Sequence, residues 1–222
     1  MARQTGMLFQ QGVRRWQMTR GLGTVFVIDD DPAVLLGLDV LLRSVGLTCQ
    51  TFSDATTFLE ALVAETPGCV VADVRLPDLS GLELQEELVR RKVTLPVILI
   101  SGNADVPMAV RGMRAGALDF LEKPFSSQQL LERVEHALRK CQSGFAERER
   151  RTDARRRLSL LTPREAEVVA MVTAGRANKE MARLLGISQK TVELHRSRAM
   201  HKLGAHHVAD LVALTLQSRE LS

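Results

Sequence analysis

The sequence has no long apolar run, and this excludes one class of protein at the outset. Within its 222 residues no stretch approaches the ~20 apolar residues that a membrane-spanning helix requires. The apolar residues near the start, "MLF", are too few for the core of a signal peptide. With 45% hydrophobic and 25% charged residues, the composition is typical of a globular protein. We expect a cytoplasmic protein with no membrane partner.

Cysteine is also scarce. The three cysteines, Cys49, Cys69 and Cys141, are odd in number and show neither CxxC nor CxxH spacing. This pattern argues against a disulfide framework and against a zinc site, and we expect reduced thiols. No internal repeat or low-complexity tract is evident either.

Charge is unevenly distributed along the chain. Residues 23–140 carry 17 acidic and 11 basic side chains, whereas residues 158–222 carry 9 basic and 6 acidic ones. An acidic body followed by a basic end predicts two domains, the second with a polyanion as its partner. Residues 141–157 are basic and nearly devoid of apolar side chains, which fits a solvated linker or a helix that continues past the first domain.

The first domain alternates apolar runs with stretches of helical periodicity. Strands are predicted at 24–29, 47–52, 68–73, 95–100 and 117–122, and helices at 32–45, 54–65, 81–91, 106–115 and 126–140. This alternation predicts an α/β fold, a doubly wound, five-stranded parallel sheet with helices on both faces. We therefore divide the chain into a disordered extension (1–22), an α/β domain (23–140), a charged linker (141–157) and an all-helical domain (158–222).

Carboxylates follow two of the predicted strands. In "VFVIDDDP" the first strand ends at Asp29 and Asp30, and the third strand ends at Asp73. In a parallel sheet these ends meet at one edge, where the functional crevice lies. Three clustered carboxylates are tolerable if a divalent cation offsets their charge, and oxygen ligands suit Mg²⁺. Asp31, followed by Pro32, is predicted to cap the next helix instead.

The other strand ends add what phosphoryl transfer to a carboxylate requires. Ser101 follows the fourth strand and offers a hydroxyl donor, and Lys123 follows the fifth and offers a cation. A carboxylate can act as the nucleophile and form an acyl phosphate, whose oxygens a metal ion and a cation must flank. The bond between Lys123 and Pro124 can be cis, since X–Pro peptides permit it.

Residues 24–140 resemble the receiver domain of two-component response regulators, a flavodoxin-like fold. The motifs "VIDDDP", "VVADVRLPDLSGLEL" and "LISGNADVPMAVRGMRAGALDFLEKPF" occur in the order of that family, and "GNADVPMAV" resembles its FixJ branch. The resemblance implies a sensor histidine kinase as partner and Asp73 as the phosphoacceptor. It makes Asp29 and Asp30 the acidic pair for Mg²⁺ and adds the backbone carbonyl of Arg75 as a ligand.

The same resemblance assigns roles to the remaining polar positions. Lys123 takes the place of the family's lysine, and Ser101 takes the hydroxyl position, where the family more often has threonine. Phe120 takes the aromatic switch position, although it also fits a plain core aromatic, and we keep both interpretations.

The helical end has helix-turn-helix spacing in "NKEMARLLGISQKTVELHRSRAMHKLG", residues 178–204. Gly186 permits a left-handed turn, and Ser188 is suited to cap the second helix, which such motifs place in the DNA major groove. Base contacts are predicted for exposed residues of that helix, and phosphate contacts for lysines, although a lysine is also compatible with a merely solvated face. The candidates are Lys179, Lys190, Thr191, Glu193, Leu194, Arg196, Ser197, Arg198 and Lys202.

Residues 160–217 resemble the LuxR-type DNA-binding domain of NarL/FixJ regulators, starting at "LTPRE", in which Thr162 and Glu165 form a predicted capping box. The resemblance implies that the last helix, 206–218, contributes to dimerisation, while simple packing onto the other helices is the alternative. Together the two halves predict a transcription factor that is not an enzyme. Phosphorylation of Asp73 would make it dimerise and bind operator DNA.

A Mg²⁺-dependent phosphohydrolase with an aspartyl nucleophile is the competing hypothesis, because its pocket chemistry is similar. A substrate pocket needs additional walls, and the predicted strand–helix connections are short. A third hypothesis, a receiver that acts only as a protein adaptor, does not explain the helical domain.

Overall fold

The computed structural model describes residues 21–63, 66–102 and 106–218. Its first part alternates strands and helices as the sequence pattern predicts. The strands are β1 (Thr24–Ile28), β2 (Thr48–Phe52), β3 (Gly68–Asp73), β4 (Val97–Ser101) and β5 (Asp119–Glu122). The helices are α1 (Pro32–Ser44), α2 (Ala55–Ala61), α3 (Gly81–Arg90), α4 (Val106–Arg114) and α5 (Ser127–Leu158). The predicted disordered extension, except for its last two residues, lies outside the described residues.

All four strand pairings are parallel, and the strand order is β2-β1-β3-β4-β5. The predicted doubly wound sheet is therefore confirmed. Strand order reverses between β1 and β3, and the crevice of such a sheet opens at the carboxyl ends of the strands beside this reversal. Asp29 and Asp73 stand at these two ends.

Both faces of the sheet are covered. In β1, Val25 and Val27 belong to the core on one face and Phe26 and Ile28 to the core on the other, as the alternation of side chains along a strand requires. Helix α1 and the start of α5 cover the first face, whereas α2, α3 and α4 cover the second. Because helices bury both faces of the sheet in apolar cores, polar functional groups are confined to the edge of the sheet.

Strand β2 starts one residue later than predicted, and two other strands start two residues later. Strand β4 begins at Val97 rather than at residue 95, because Pro96 has no amide hydrogen to donate to the ladder. Strand β5 begins at Asp119 rather than at residue 117, because the amide of Ala117 donates to the carbonyl of Gly112 and so closes the end of α4. None of these differences moves the residues at the carboxyl ends.

Two predicted helix caps are present. The carboxylate of Asp31 accepts a hydrogen bond from the amide of Ala33 at 2.8 Å, so its predicted structural role is confirmed. At the start of the helix Pro163–Thr173, Thr162 and Glu165 form the predicted capping box. Both caps satisfy amides that have no partner within their helix.

The second part of the chain is helical, as predicted. Its helices are α6 (Pro163–Thr173), α7 (Asn178–Leu185), α8 (Gln189–Leu203) and α9 (Val208–Ser218). Their apolar faces form one core, whose buried members include Val168, Met181, Val192, Leu203 and Leu211. Helix α9 begins two residues later than predicted, because the amides of His206 and His207 donate to the carboxylate of Asp210.

Helix α5 includes residues 141–157, so of the two alternatives left open for this segment the structure has the helix. Ion pairs one turn apart stabilise it, among them Glu147 with Arg151 at 3.1 Å and Asp153 with Arg157 at 2.7 Å. The chain separates into two compact units after Phe145, which we call the first and second unit. Within the described ranges, no helix combines the length and apolarity needed to cross a membrane.

Candidate functional site

Three polar residues are buried at the carboxyl edge of the sheet. Asp29 follows β1, Asp73 ends β3 and Ser101 ends β4, and their exposed fractions are 1%, 6% and 0%. Neighbouring parallel strands bring these positions together, because Asp73 pairs with Ile100, the residue before Ser101. Burial of polar groups is expensive unless they are paired, so the partners of these residues indicate the chemistry of the site.

Lys123 joins the two buried carboxylates. Its Nζ donates to Asp29 Oδ2 at 2.7 Å and to Asp73 Oδ1 at 2.8 Å. Burial, the largest influence, lowers the pKa of Lys123, but the hydrogen bonds to the two carboxylates outweigh it and hold that pKa above its ordinary value. The lysine is therefore protonated at neutral pH. The peptide between Lys123 and Pro124, for which the sequence permits the cis form, is cis.

The second oxygen of each buried carboxylate accepts a backbone hydrogen bond. Asp29 Oδ1 accepts from the amide of Asp31 at 3.0 Å, and Asp73 Oδ2 accepts from the amide of Arg75 at 2.5 Å. Each carboxylate is thus fixed by an ammonium on one side and by its own following loop on the other. Such double fixation leaves little rotational freedom at the predicted phosphoacceptor.

The donor set fits Mg²⁺ in charge and in ligand type. Two buried carboxylates share one ammonium, and the exposed carboxylate of Asp30 lies next in sequence to Asp29. The group therefore retains negative charge, which a hard divalent cation complements. In the part of the chain that the structure describes, however, no three His, Cys, Asp or Glu side chains are grouped closely enough to hold a metal ion.

Ser101 and Phe120 lie on the side of the site that faces α4. Ser101 Oγ is 3.9 Å from Met108 Sδ, and Phe120, half-buried, packs against the same core as Met108. A Cβ built on Gly112 of α4 would lie 2.8 Å from Leu99 Cδ1 and 3.7 Å from Phe120 Cδ2. Helix α4 therefore packs directly on β4 and on Phe120. This packing fits both interpretations of Phe120.

Sequence reasoning missed one polar residue near the site, Asp78. Its carboxylate accepts hydrogen bonds from the amide of Ala55 at 3.2 Å, from the amide of Thr56 at 2.7 Å and from the hydroxyl of Thr56 at 2.6 Å. Desolvation raises its pKa, but these bonds and one from Leu79 outweigh it and hold that pKa well below its ordinary value. The sequence signal was weak, an aspartate in the loop "LPDLSG" with no hint of its distant partner.

In the second unit, α7 and α8 form the predicted helix-turn-helix. Gly186 has the expected left-handed conformation, with a φ of 66°. Ser188 Oγ accepts a hydrogen bond from the amide of Thr191 at 3.0 Å and caps α8. Val192, Ala199 and Leu203 face the core, so the other faces of α8 remain accessible. The helix is thus anchored on one side and open on the other.

Most of the predicted DNA contacts lie on the open faces. The exposed ones are Lys179, Lys190, Glu193, Leu194, Ser197 and Arg198, and Thr191 is half-buried. Arg196 is half-buried as well, and its Nη1 lies 3.5 Å from the Oδ1 of Asn178 at the start of α7. It lines a cavity of about 540 Å³ together with Glu193 and His201.

Lys202 differs from the other lysines that are predicted to contact DNA, because its ammonium has partners within the protein. Its Nζ donates to Glu165 Oε2 at 2.7 Å and to the carbonyl of Leu160 at 3.3 Å. Glu165 is 3% exposed, and the hydrogen bond from Lys202 is the main reason that its pKa is lowered to about 2. The sequence predicts a phosphate contact for Lys202. In the structure its ammonium pairs with a buried carboxylate, which favours a role in stability.

Two family signatures match the chain. The one described as "Response regulator receiver domain" matches residues 25–135, and the one described as "Bacterial regulatory proteins, luxR family" matches residues 159–215. The chain belongs to the response regulators that combine a receiver domain with a LuxR-type DNA-binding domain. It is a transcriptional regulator of a two-component system. Within this class it belongs with the regulators FixJ and TdiR and with TodT of Pseudomonas putida, which is 37% identical over 206 residues, 93% of this chain and 90% of TodT.

Individual relatives cover nearly the whole chain. The transcriptional regulatory protein FixJ of Bradyrhizobium diazoefficiens is 38% identical over 200 residues, 90% of this chain and 98% of FixJ. TdiR of Thauera aromatica is 42% identical over 202 residues, 90% of this chain and 88% of TdiR. The low-resolution structure of the response regulator StyR has a TM-score of 0.80 at 43% identity and covers 87% of this chain and 98% of StyR.

These relatives decide between the two hypotheses for the pocket. They are transcriptional regulators and not enzymes, so the phosphohydrolase hypothesis is wrong. The receiver domain implies a sensor histidine kinase as a partner and is of a type that uses Mg²⁺ for phosphorylation. The LuxR-type domain implies binding to DNA.

Proposed function

We propose that a sensor histidine kinase phosphorylates Asp73 and that this phosphorylation makes the protein dimerise and bind operator DNA in the cytoplasm. The observation that carries the proposal is the buried arrangement of Asp29, Lys123 and Asp73, with both carboxylates on one ammonium. The receiver comprises residues 23–140 and the DNA-binding domain residues 158–222, joined by residues 141–157.

Asp73 acts as the nucleophile. One carboxylate oxygen attacks the phosphorus of the kinase's phosphohistidine, the P–N bond breaks and an aspartyl phosphate forms. Lys123 then donates to an oxygen of the phosphoryl group, and Ser101 donates from its hydroxyl. Because Asp73 Oδ2 is held by the amide of Arg75, the nucleophile enters the reaction already oriented.

Asp29, Asp30, Asp73 and the backbone carbonyl of Arg75 hold Mg²⁺ in this proposal. When bound, the ion supplies positive charge against the equatorial oxygens of the transferred group. The negative charge that remains on the carboxylates after pairing with Lys123 supports this assignment. Binding through carboxylates, a carbonyl and the substrate's own oxygens is the usual mode for Mg²⁺.

Ser101 and Phe120 report the phosphorylation to the surface. When the hydroxyl of Ser101 turns to the phosphoryl group, the packing of Met108 and Phe120 beside it has to change. Three apolar residues of α4 are exposed, Val106 to 77%, Val110 to 42% and Met113 to 49%. A second copy of the receiver covers this face in the phosphorylated dimer, which is symmetric.

The dimer brings two copies of α8 to paired half-sites of the operator. Thr191, Glu193, Leu194, Arg196, Ser197 and Arg198 face the bases, while Lys179 and Lys190 contact phosphates. The exposure of most of these side chains and the capped, anchored start of α8 support this assignment.

The test is to follow dimerisation and operator binding in the same samples. Acetyl phosphate or beryllofluoride with Mg²⁺ is expected to raise the dimer fraction in sedimentation and the operator affinity in a binding titration together. Asp73→Asn is expected to abolish both responses and to keep weak DNA binding. If Asp73→Asn still dimerises and binds more tightly with the phosphodonor, control does not pass through Asp73.

A further inference from the structure

We infer that Asp78 is a positioning residue for the phosphorylation site, because it ties the loop that follows Asp73 to the start of α2. Its carboxylate accepts three hydrogen bonds from Ala55 and Thr56, two of them at 2.6 and 2.7 Å. Asp78 and Thr56 are 22 residues apart in sequence, so the contact joins two separate connections of the fold. The inference rests on the function proposed above.

The loop is already fixed at both ends. Next to Asp73, the amide of Val74 donates to the carbonyl of Ile100 at 2.8 Å. At the far end, Ser80 and Glu83 form a capping box at the start of α3. The amide of Gly81 donates to the carbonyl of Val74 at 3.0 Å and so closes the loop on itself. The middle of the loop has Asp78 as its tie to α2.

The strand order explains why the contact between Asp78 and Thr56 can affect the phosphorylation site. Strands β2 and β3 flank β1, and α2 and α3 pack on the same face of the sheet. The bond between Asp78 and Thr56 therefore connects the loops on either side of the end of β1, where Asp29 lies. The loop that it restrains contains Arg75, whose amide orients Asp73 and whose carbonyl is the proposed Mg²⁺ ligand.

Capping of α2 alone does not account for Asp78. Helix α2 has a cap of its own, since Asp54 Oδ1 accepts from the amide of Thr57 at 2.7 Å. The two aspartates thus serve the same helix end, but only Asp78 belongs to the loop after Asp73. This pair provides a matched control, because both substitutions remove one carboxylate from one helix end.

The experiment compares full-length Asp78→Ala with Asp54→Ala. Mg²⁺ affinity is measured by calorimetry with MgCl₂ alone, and amide hydrogen exchange is measured over residues 74–80. We expect Asp78→Ala to weaken Mg²⁺ binding by about tenfold, because the loop that carries Arg75 loses its tie to α2 and holds the ligand less firmly, and to speed exchange in the loop. Asp54→Ala is expected to match the wild type in both measurements. Asp78→Asn keeps one acceptor oxygen, so its Mg²⁺ affinity and loop exchange are expected to lie between those of Asp78→Ala and the wild type. It replaces Asp78→Ala in the experiment if that variant does not fold.

Wild-type Mg²⁺ affinity and loop exchange in Asp78→Ala or Asp78→Asn would overturn the inference. Equal losses in Asp78→Ala and Asp54→Ala would overturn it too, because the effect would then come from the stability of α2. Asp30→Ala separates this failure from that of the proposed function. If the wild type binds Mg²⁺ and Asp30→Ala does not, the site exists whatever the behaviour of Asp78.

Discussion

The ammonium of Lys123 lies between two buried carboxylates that would otherwise repel each other. Its raised pKa means that it contributes stability in full below the unfolded-state value of about 10.4 and loses that contribution as pH rises through the higher folded value. Throughout the physiological range the cation is therefore present to meet a phosphoryl group. One residue serves both the fold of the sheet edge and the proposed chemistry.

Replacing this cation is expected to stop phosphorylation. Lys123→Met should slow the labelling of Asp73 by acetyl phosphate by about 10²–10³-fold, the usual loss when one electrostatic donor is removed from a transition state. Mass spectrometry of the intact protein measures the rate. Lys140→Met, an exposed position on α5, is the control and should be labelled at the wild-type rate. Equal rates in the two variants would contradict the role of Lys123.

A substitution of Lys202 is expected to affect the stability of the protein but not the salt dependence of its DNA affinity. Lys202→Met should lower thermal stability at pH 7 and leave the salt dependence of DNA affinity unchanged. Lys190→Met, which lacks such an internal partner among the bonds described, should keep the stability and reduce the salt slope by about one. A reduced slope in Lys202→Met would restore the phosphate contact that the sequence predicted.

Lys202→Met is also expected to change how the stability of the protein depends on pH. The lowered pKa of Glu165, about 2, means that its stabilising contribution is present above the unfolded-state value of about 4.3 and is lost as pH falls through about 2. In Lys202→Met the carboxyl titrates nearer its ordinary value, so less stability is lost between these two pH values. Thermal unfolding at several acidic pH values measures the difference, and identical acid profiles would contradict it.

At the scale of elements, the start of α3 is fixed by a close approach to β3. A Cβ built on Gly81 would lie 2.4 Å from the carbonyl oxygen of Asp73 and 3.1 Å from Leu99 Cδ2. The first of these contacts is with backbone and cannot yield without moving the helix or the strand. Helix position and the geometry of the predicted phosphoacceptor are therefore coupled through one glycine.

Two glycines test this coupling. Gly81→Ala is expected to destabilise the protein by about 1–3 kcal/mol, as overpacking does, and to slow phosphorylation. Gly37→Ala lies on α1, where a Cβ would meet nothing within 4 Å, and should stabilise by about 1 kcal/mol through helix propensity. Denaturant unfolding measures both changes. An unaffected Gly81→Ala would show that α3 can shift without consequence.

At the scale of the whole molecule, the proposed switch has an energetic requirement. A change from 1:99 to 99:1 between inactive and active packing needs a difference of about 5.5 kcal/mol. Two or three charge-assisted contacts of the phosphoryl group, each contributing about 1.5–3 kcal/mol, are about enough. Dimerisation then raises operator affinity, because the second half-site is bound at a high effective concentration.

Removal of the receiver tests this coupling. The fragment 158–222 is expected to bind operator DNA weakly, with the same affinity in the presence and absence of a phosphodonor, because it lacks Asp73. The full chain under the same conditions should respond to the phosphodonor. A fragment that binds as tightly as the phosphorylated full chain would show that receiver dimerisation adds nothing to affinity. A DNA titration on both proteins decides the matter.

The sequence by itself determined the succession of strands and helices along the chain and the edge of the sheet at which the polar residues gather. Parallel strands with dry faces leave polar chemistry only at their carboxyl ends, so Asp29, Asp73, Ser101 and Lys123 could be placed from the apolar pattern alone. The helix caps at Asp31 and at Thr162 with Glu165 could also be predicted from the sequence, because a cap is a contact between residues close in sequence.

Only the tertiary structure decided the pairings between distant residues. Lys202 looks like any surface lysine until α8 brings it to Glu165, which is 37 positions away. Asp78 looks like any loop aspartate until the sheet order brings it to Thr56. The physical reason is the same in both cases: a local pattern specifies which face of an element is apolar, but the partner of a polar side chain depends on which elements pack together.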